Sequence, residues 1–71
     1  MTDSEIAQLG SLIRNARLDK GFSETELARR SCTSVGSIVS AEENALNVSW
    51  STLEKIVETG LGGELDLAIR L

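Results

Sequence analysis

Residues 27–42 read Leu27-Ala28-Arg29-Arg30-Ser31-Cys32-Thr33-Ser34-Val35-Gly36-Ser37-Ile38-Val39-Ser40-Ala41-Glu42. Two short helices joined by a brief turn fit this stretch. Just upstream, Ser23 precedes Glu24-Thr25-Glu26. A Ser followed three residues later by Glu is the capping-box pattern that opens a helix. Both acids then stand at the positive end of the helix dipole. Leu27 and Ala28 supply the inner face, and this helix runs to about Arg30–Ser31. Cys32-Thr33 breaks it. Ser34 reads as the next N-cap, opening a helix from Val35 to about Glu42. On it Val35, Ile38 and Ala41–Glu42 lie on neighbouring faces.

Outward from this pair, helical spacing continues. Ile6, Leu9, Leu12, Ile13 and Ala16 mark a first helix from about Asp3–Ser4 to Asp19. Lys20-Gly21 supplies a basic last turn and a Gly stop. Phe22 reads as an apolar plug after that stop. Residues 43–48 read as a loop. Ser49 caps a fourth helix with Leu53, Ile56 and Val57 inside, ending near Thr59-Gly60. Leu61-Gly62-Gly63 is turn-like. From Leu65 the pattern changes: Leu65, Leu67, Ile69 and Leu71 alternate with Asp66, Ala68 and Arg70. Period 2 argues a strand. The chain offers it no second strand, so its backbone groups need a partner, and a two-fold dimer in which each copy lends a strand supplies one. A short fifth helix at about Glu64–Leu71 is the alternative, since Leu, Glu and Ala also favour helix. The expected fold is all-α. It is a compact four- to five-helix bundle over residues 1–63, with helices at about 3–19, 23–31, 34–42 and 49–59. Residues 64–71 form a dimerisation strand through Leu65, Leu67, Ile69 and Leu71.

Composition narrows the function. The 71 residues carry 11 Asp/Glu against 7 Lys/Arg, a net charge of -4, with no His and one Cys. One small domain is the expected upper limit. One Cys makes no internal disulfide, and without His it builds no zinc site of the usual four N/S ligands. The absence of His also removes the Ser–His and Cys–His nucleophile pairs. No carboxylates cluster on one helix face. Neither an enzyme nor a cofactor is therefore expected. Residues 1–16 hold Asp3, Glu5, Gln8, Gly10 and Arg14, so they lack a signal-peptide core. No run approaches the ~18–20 apolar residues of a membrane span. A cytoplasmic protein is expected, in keeping with a free thiol. The acidic balance argues against loose attraction to nucleic acid or anionic membrane.

The stretch 27–42 closely resembles the helix-turn-helix of the Cro/repressor (XRE) family. Leu12 to Ser23 resembles that family's first helix and the turn after it, and Asn47 to Ile56 resembles its fourth helix. About residues 6–60 are covered. The resemblance implies a sequence-specific DNA-binding transcriptional regulator. It would act as a homodimer on a palindromic operator, with the recognition helix, about 34–42, in the major groove. Carried over by position, Ser34, Val35, Gly36, Ser37, Val39 and Ser40 face bases. Arg14, Lys20, Ser23, Glu24, Arg29, Arg30, Asn44, Asn47 and Trp50 lie near phosphate. Arg17 and Glu42 match a family ion pair that ties the first helix to the end of the recognition helix. Ala28 is small where the two motif helices cross, and Leu27 and Ile38 fill the wedge between them.

The sequence departs from the family in places. Glu24 stands where Gln is usual, and a carboxylate aimed at phosphate is repulsive. Cys32 replaces the turn Gly, and a Cβ in a left-handed conformation costs ~1 kcal/mol. The recognition face has no Arg, Lys, Gln or Asn, the residues that bond guanine and adenine bidentately. Val35 and Val39 offer only contact to thymine methyls, and the serines offer single bonds. Cys32 is expected as a small buried turn residue rather than a redox switch. Trp50 is either half-buried at a helix start or stacked at a partner surface. The tail Glu64–Leu71 resembles the C-terminal strand of antitoxins paired with HipA-type kinases, which implies a toxin partner as an alternative role. Five of the seven cations fall between Arg14 and Arg30. The acidity is therefore a local objection to DNA binding, centred on Glu24 and Glu26.

Overall fold

The computed structural model describes residues 3–63. The expected strand or helix at 64–71, with Leu65, Leu67, Ile69 and Leu71, lies outside the described residues. Helix α1 spans Asp3–Asp19, α2 Glu24–Ser31 and α3 Val35–Glu43. A 3-10 turn follows at Ala45–Asn47. Helix α4, Trp50–Glu54, then runs on into a wider π turn, Lys55–Gly60.

Three helices start on a serine. Ser23 Oγ accepts from the Glu26 N–H at 3.0 Å, Ser34 Oγ from Ser37 at 3.1 Å, and Ser49 Oγ from Thr52 at 3.2 Å. Each bond satisfies an N–H that the helix itself leaves orphaned, and each cap is worth about 1 kcal/mol relative to Ala. The capping box at Ser23 is one-sided. Glu26 does not reach back to Ser23; its carboxylate takes hydrogen bonds from Arg29 and Arg30. Two guanidinium groups three and four residues on lie on the same helix face and win that competition. Partial desolvation opposes the Glu26 charge, but these hydrogen bonds outweigh it and hold the carboxyl below its ordinary value.

Helices α1 and α2 end in the same way. After α1, Phe22 N–H donates to Arg17 O and Gly21 N–H to Leu18 O, both at 3.0 Å, with Gly21 at φ 73. After α2, Thr33 N–H donates to Ala28 O at 3.0 Å and Cys32 N–H to Arg29 O at 3.3 Å, with Cys32 at φ 58 and ψ 39. Both are Schellman closures, which place one left-handed residue just past the helix. The second holds a cysteine where the first holds a glycine. Cys32 is exposed, not buried as expected. The closure is made by backbone bonds alone, so nothing draws its side chain into the core. Cys32→Gly is therefore expected to stabilise the protein by about 0.5–1 kcal/mol. A thermal melt checks this; an unchanged or lower midpoint would mean that the thiol makes contacts outweighing the strain.

The core consists of Ile13, Leu27, Ala28, Ile38, Ala41, Ala45, Leu53 and Ile56, with Leu9, Val48, Trp50, Val57 and Leu61 packed around it. Helix α1 lies on α3 and on the 3-10 turn, and α2 lies on α3 and on the π turn. Two features differ from the periodicity. Leu12 is 61% exposed and not part of the inner face. The buried stripe of α1 runs through Gly10, Ile13 and Arg17. Leu12 stands about 100° round the helix from Ile13 and further still from Gly10. Residues 43–48 are more than a loop. Asn44 Oδ1 accepts from Leu46 N–H at 2.8 Å, capping the 3-10 turn that drives Ala45 fully into the core.

Two glycines mark where helices touch backbone to backbone or nearly so. A Cβ on Gly10 would lie 2.5 Å from Ala41 O and 2.8 Å from Glu42 O, the carbonyls at the end of α3. A Cβ on Gly60 would overlap Ser31 Oγ and come within 2.8 Å of Leu27 Cδ1. Among the described residues, no helix is long and apolar enough to cross a membrane.

Candidate nucleic-acid interface

Helix α3 is fixed from its C-terminal end. Arg17 of α1 meets Glu42 side-on, with Nε to Oε2 at 2.7 Å and Nη2 to Oε1 at 3.2 Å. The remaining Nη1 donates to Phe22 O at 2.9 Å. The two side chains are only 10% and 7% exposed. The Glu42 hydrogen bonds raise the Arg17 pKa above its ordinary value, against the opposing effect of burial. One residue of α1 thus fastens the end of α3 and the turn that leads into α2. Gly10 lets α1 close onto the same carbonyls. Across the other side, Ala28 is 3% exposed and lets α2 approach α3, with Leu27 and Ile38 fully buried between them.

The outer face of the N-terminal half of α3 remains open. Ser34, Val35, Gly36 and Val39 are exposed, and Ser37 and Ser40 are half-buried. Val35 retains 40% of its surface and Val39 37%. The hydroxyls there are largely committed. Ser34 Oγ and Ser37 Oγ lie 3.0 Å apart in a hydrogen bond, and Ser34 also caps the helix. No acid stands in the first turn of α3, so the positive end of its dipole is uncovered. The first turn of α2, by contrast, carries Glu24 and Glu26.

The surrounding residues fall into separate groups. Arg14, Arg17, Glu24, Val39, Glu42 and Glu43 line one open hollow of about 400 Å³. This places Arg14 beside the open face of α3, with Glu24 and Glu43 sharing its surroundings. Lys20 is exposed. Arg29 and Arg30 form a second group, both bonded to Glu26, with Arg30 lying 4.3 Å from the Phe22 ring centroid in a cation–π contact. The polar residues after α3 build the connection itself. Asn44 caps the 3-10 turn, and Asn47 Nδ2 donates to Ser40 O at 3.2 Å. Trp50 is half-buried against the core at the first position of α4. Ser23 spends its hydroxyl on the cap of α2.

The sequence pattern missed Gly10 and Glu43. The signal for Gly10 was a lone glycine inside a helical period, which often marks close packing. Glu43 carried no signal beyond its position after the helix. Gly36 is different: a Cβ there would meet only Ser34 Oγ, at 3.8 Å. Packing within the chain does not require this glycine. Gly36→Ala is therefore expected to stabilise the fold by about 1 kcal/mol, as read from denaturant unfolding. Destabilisation instead would show that the helix start is strained. Among the described residues, no His/Cys/Asp/Glu group is placed to hold a metal ion.

Two short helices crossing at a small residue, a capped second helix with one open face, and a supporting first helix define a helix-turn-helix fold. Among solved structures the chain is similar to the restriction-modification controller protein C.Esp1396I. The wild-type protein in a triclinic crystal form matches with a TM-score of 0.76 and 26% sequence identity, over 92% of this chain and 83% of that one. Two single-residue variants of the same controller protein match equally well. No family model matches the chain, and no curated protein does.

Proposed function

We propose that this chain is a sequence-specific DNA-binding transcriptional regulator of the controller kind, acting as a homodimer with α3 in the major groove. The observation that carries this reading is the open, acid-free start of α3 on a helix whose inner face, Ile38 and Ala41, is buried and which is fastened to α1 and α2. The likeness to a restriction-modification controller protein supports it. In this reading Ser34, Val35, Gly36, Ser37, Val39 and Ser40 face the base edges. Arg14 and Lys20 are the cations best placed for phosphate. Arg29 and Arg30 share Glu26, so a phosphate must compete with that carboxylate for them. Ser23, Asn44, Asn47 and Trp50 shape the flanks, and the backbone beside them is what a phosphate would meet. Glu24 weakens the contact at the start of α2. Affinity is accordingly modest and depends on two-fold symmetry. The toxin-binding alternative rests on residues 64–71, outside the described residues, and no further observation favours it.

The test is selection of duplexes from a random pool, followed by sedimentation of the full chain with an enriched duplex. The expected result is two chains per duplex and a palindrome with half-sites about 10–10.5 base pairs apart, centre to centre. One chain on an asymmetric site would overturn the dimer. No enrichment at low salt would overturn DNA binding itself.

A further inference from the structure

We infer that this protein selects its site through the 5-methyl groups of thymines, read by Val35 and Val39. The inference rests on the DNA-binding reading above and names what the open face of α3 recognises. Val35 and Val39 are four residues apart, so they share one face of the helix. Both keep more than a third of their surface open, at 40% and 37%. Between them Gly36 leaves the backbone bare, with only Ser34 Oγ near the place a Cβ would take. A base edge can approach that notch more closely than it could approach any other residue type. The hydroxyls of Ser34 and Ser37 are bonded to each other. No long amide or guanidinium side chain projects from the face. The face therefore offers two aliphatic tips, with the half-buried Ser40 hydroxyl outside the Ser34–Ser37 bond.

In the major groove the thymine methyl is the apolar group that such tips can match. The start of α3 favours DNA over an apolar protein partner. The valines adjoin a helix start with no acid in its first turn, and Val39 lines the same hollow as Arg14. Phosphates flanking the groove complement that uncovered helix start and Arg14, while Glu24 and Glu43 on the same hollow oppose them.

The experiment compares each enriched duplex with a copy in which uracil replaces thymine, which removes the methyl and keeps every hydrogen-bonding group. The full chain is expected to bind uracil copies about fourfold more weakly for each contacted methyl removed. Val39→Ala is expected to weaken binding to thymine DNA by a similar factor and to shrink the thymine–uracil difference. The change on the DNA leaves the protein untouched, so a folding defect cannot mimic it. Equal affinity for thymine and uracil copies would overturn methyl reading while leaving DNA binding intact. So would a Val39→Ala loss that is the same on both copies. Absence of binding to either copy at low salt would overturn both readings.

Discussion

Arg17→Ala is expected to destabilise the protein by about 3 kcal/mol, at the lower end of what breaking a buried ion pair costs. Three hydrogen bonds leave with the guanidinium, two to Glu42 and one to Phe22 O. The Glu42 carboxylate, 7% exposed, is then stranded without its counter-charge. Glu42→Ala strands Arg17 and is expected to cost a similar amount. A double variant with apolar residues at both positions should be less destabilised than either single change, because no charge is left unpaired. Denaturant unfolding of the four proteins measures this. Single losses below about 1 kcal/mol would mean that the pair behaves like an exposed one. The raised Arg17 pKa fixes the sign of the pH dependence. Such a group contributes fully below its unfolded pKa and loses its contribution only as pH climbs through the folded one. On the Arg17 side the pair is therefore intact across the neutral range and is lost in strong alkali.

Gly10→Ala is the second large effect. The new methyl would sit 2.5 Å from Ala41 O and 2.8 Å from Glu42 O, both backbone atoms that no rotamer change can move aside. Helix α1 must back away from α3, stretching the Arg17–Glu42 pair as it goes. Overpacking of this kind costs about 1–3 kcal/mol, and the upper end is expected here. In a domain of this size each kcal/mol shifts the melting midpoint by roughly 4–8 °C. A fall of about 10–20 °C is the expected result. An unchanged or raised midpoint, the outcome helix propensity alone would give, would show that α1 and α3 do not approach so closely. The effect should be sub-additive with Arg17→Ala, since both act on one contact.

The helix starts were legible because capping is local: Ser23, Ser34 and Ser49 each stand just ahead of residues at helical apolar spacing, and each bonds the N–H three residues on. The left-handed turn at Cys32 was legible only through a family resemblance, because nothing in a cysteine asks for positive φ. Its exposure was not legible, since hydrophobic character says nothing about a side chain held by a backbone closure. Leu12 was misplaced for a related reason. Apolar spacing defines a stripe only to within about one helical position, and Arg17 and Gly10, neither of them apolar, turned out to occupy the centre of it. Gly10 itself shows what a pattern cannot carry: the reason for it lies on another helix, more than thirty residues away.

The site was legible in outline and not in its groupings. The serine, valine and glycine face was visible in the residues themselves. That Ser34 and Ser37 bond each other depends on the cap geometry. The cations from Arg14 to Arg30 look like one patch in the sequence. In space Arg29 and Arg30 turn to Glu26 and Phe22, while Arg14 shares a hollow with Val39 and Glu24. Sequence distance does not distinguish these two arrangements, because α1 and α2 meet α3 on different sides.

The most direct test of the central claim is a titration of the full chain against an enriched duplex over a series of salt concentrations. If α3 enters the groove with Arg14 and Lys20 of two protomers on phosphate, log K falls linearly with log salt, with a slope of roughly -4. Arg14→Ala then lowers the steepness by about 2, one phosphate per protomer, and leaves the preferred sequence unchanged. A slope near zero, or no binding at low salt, would contradict the account.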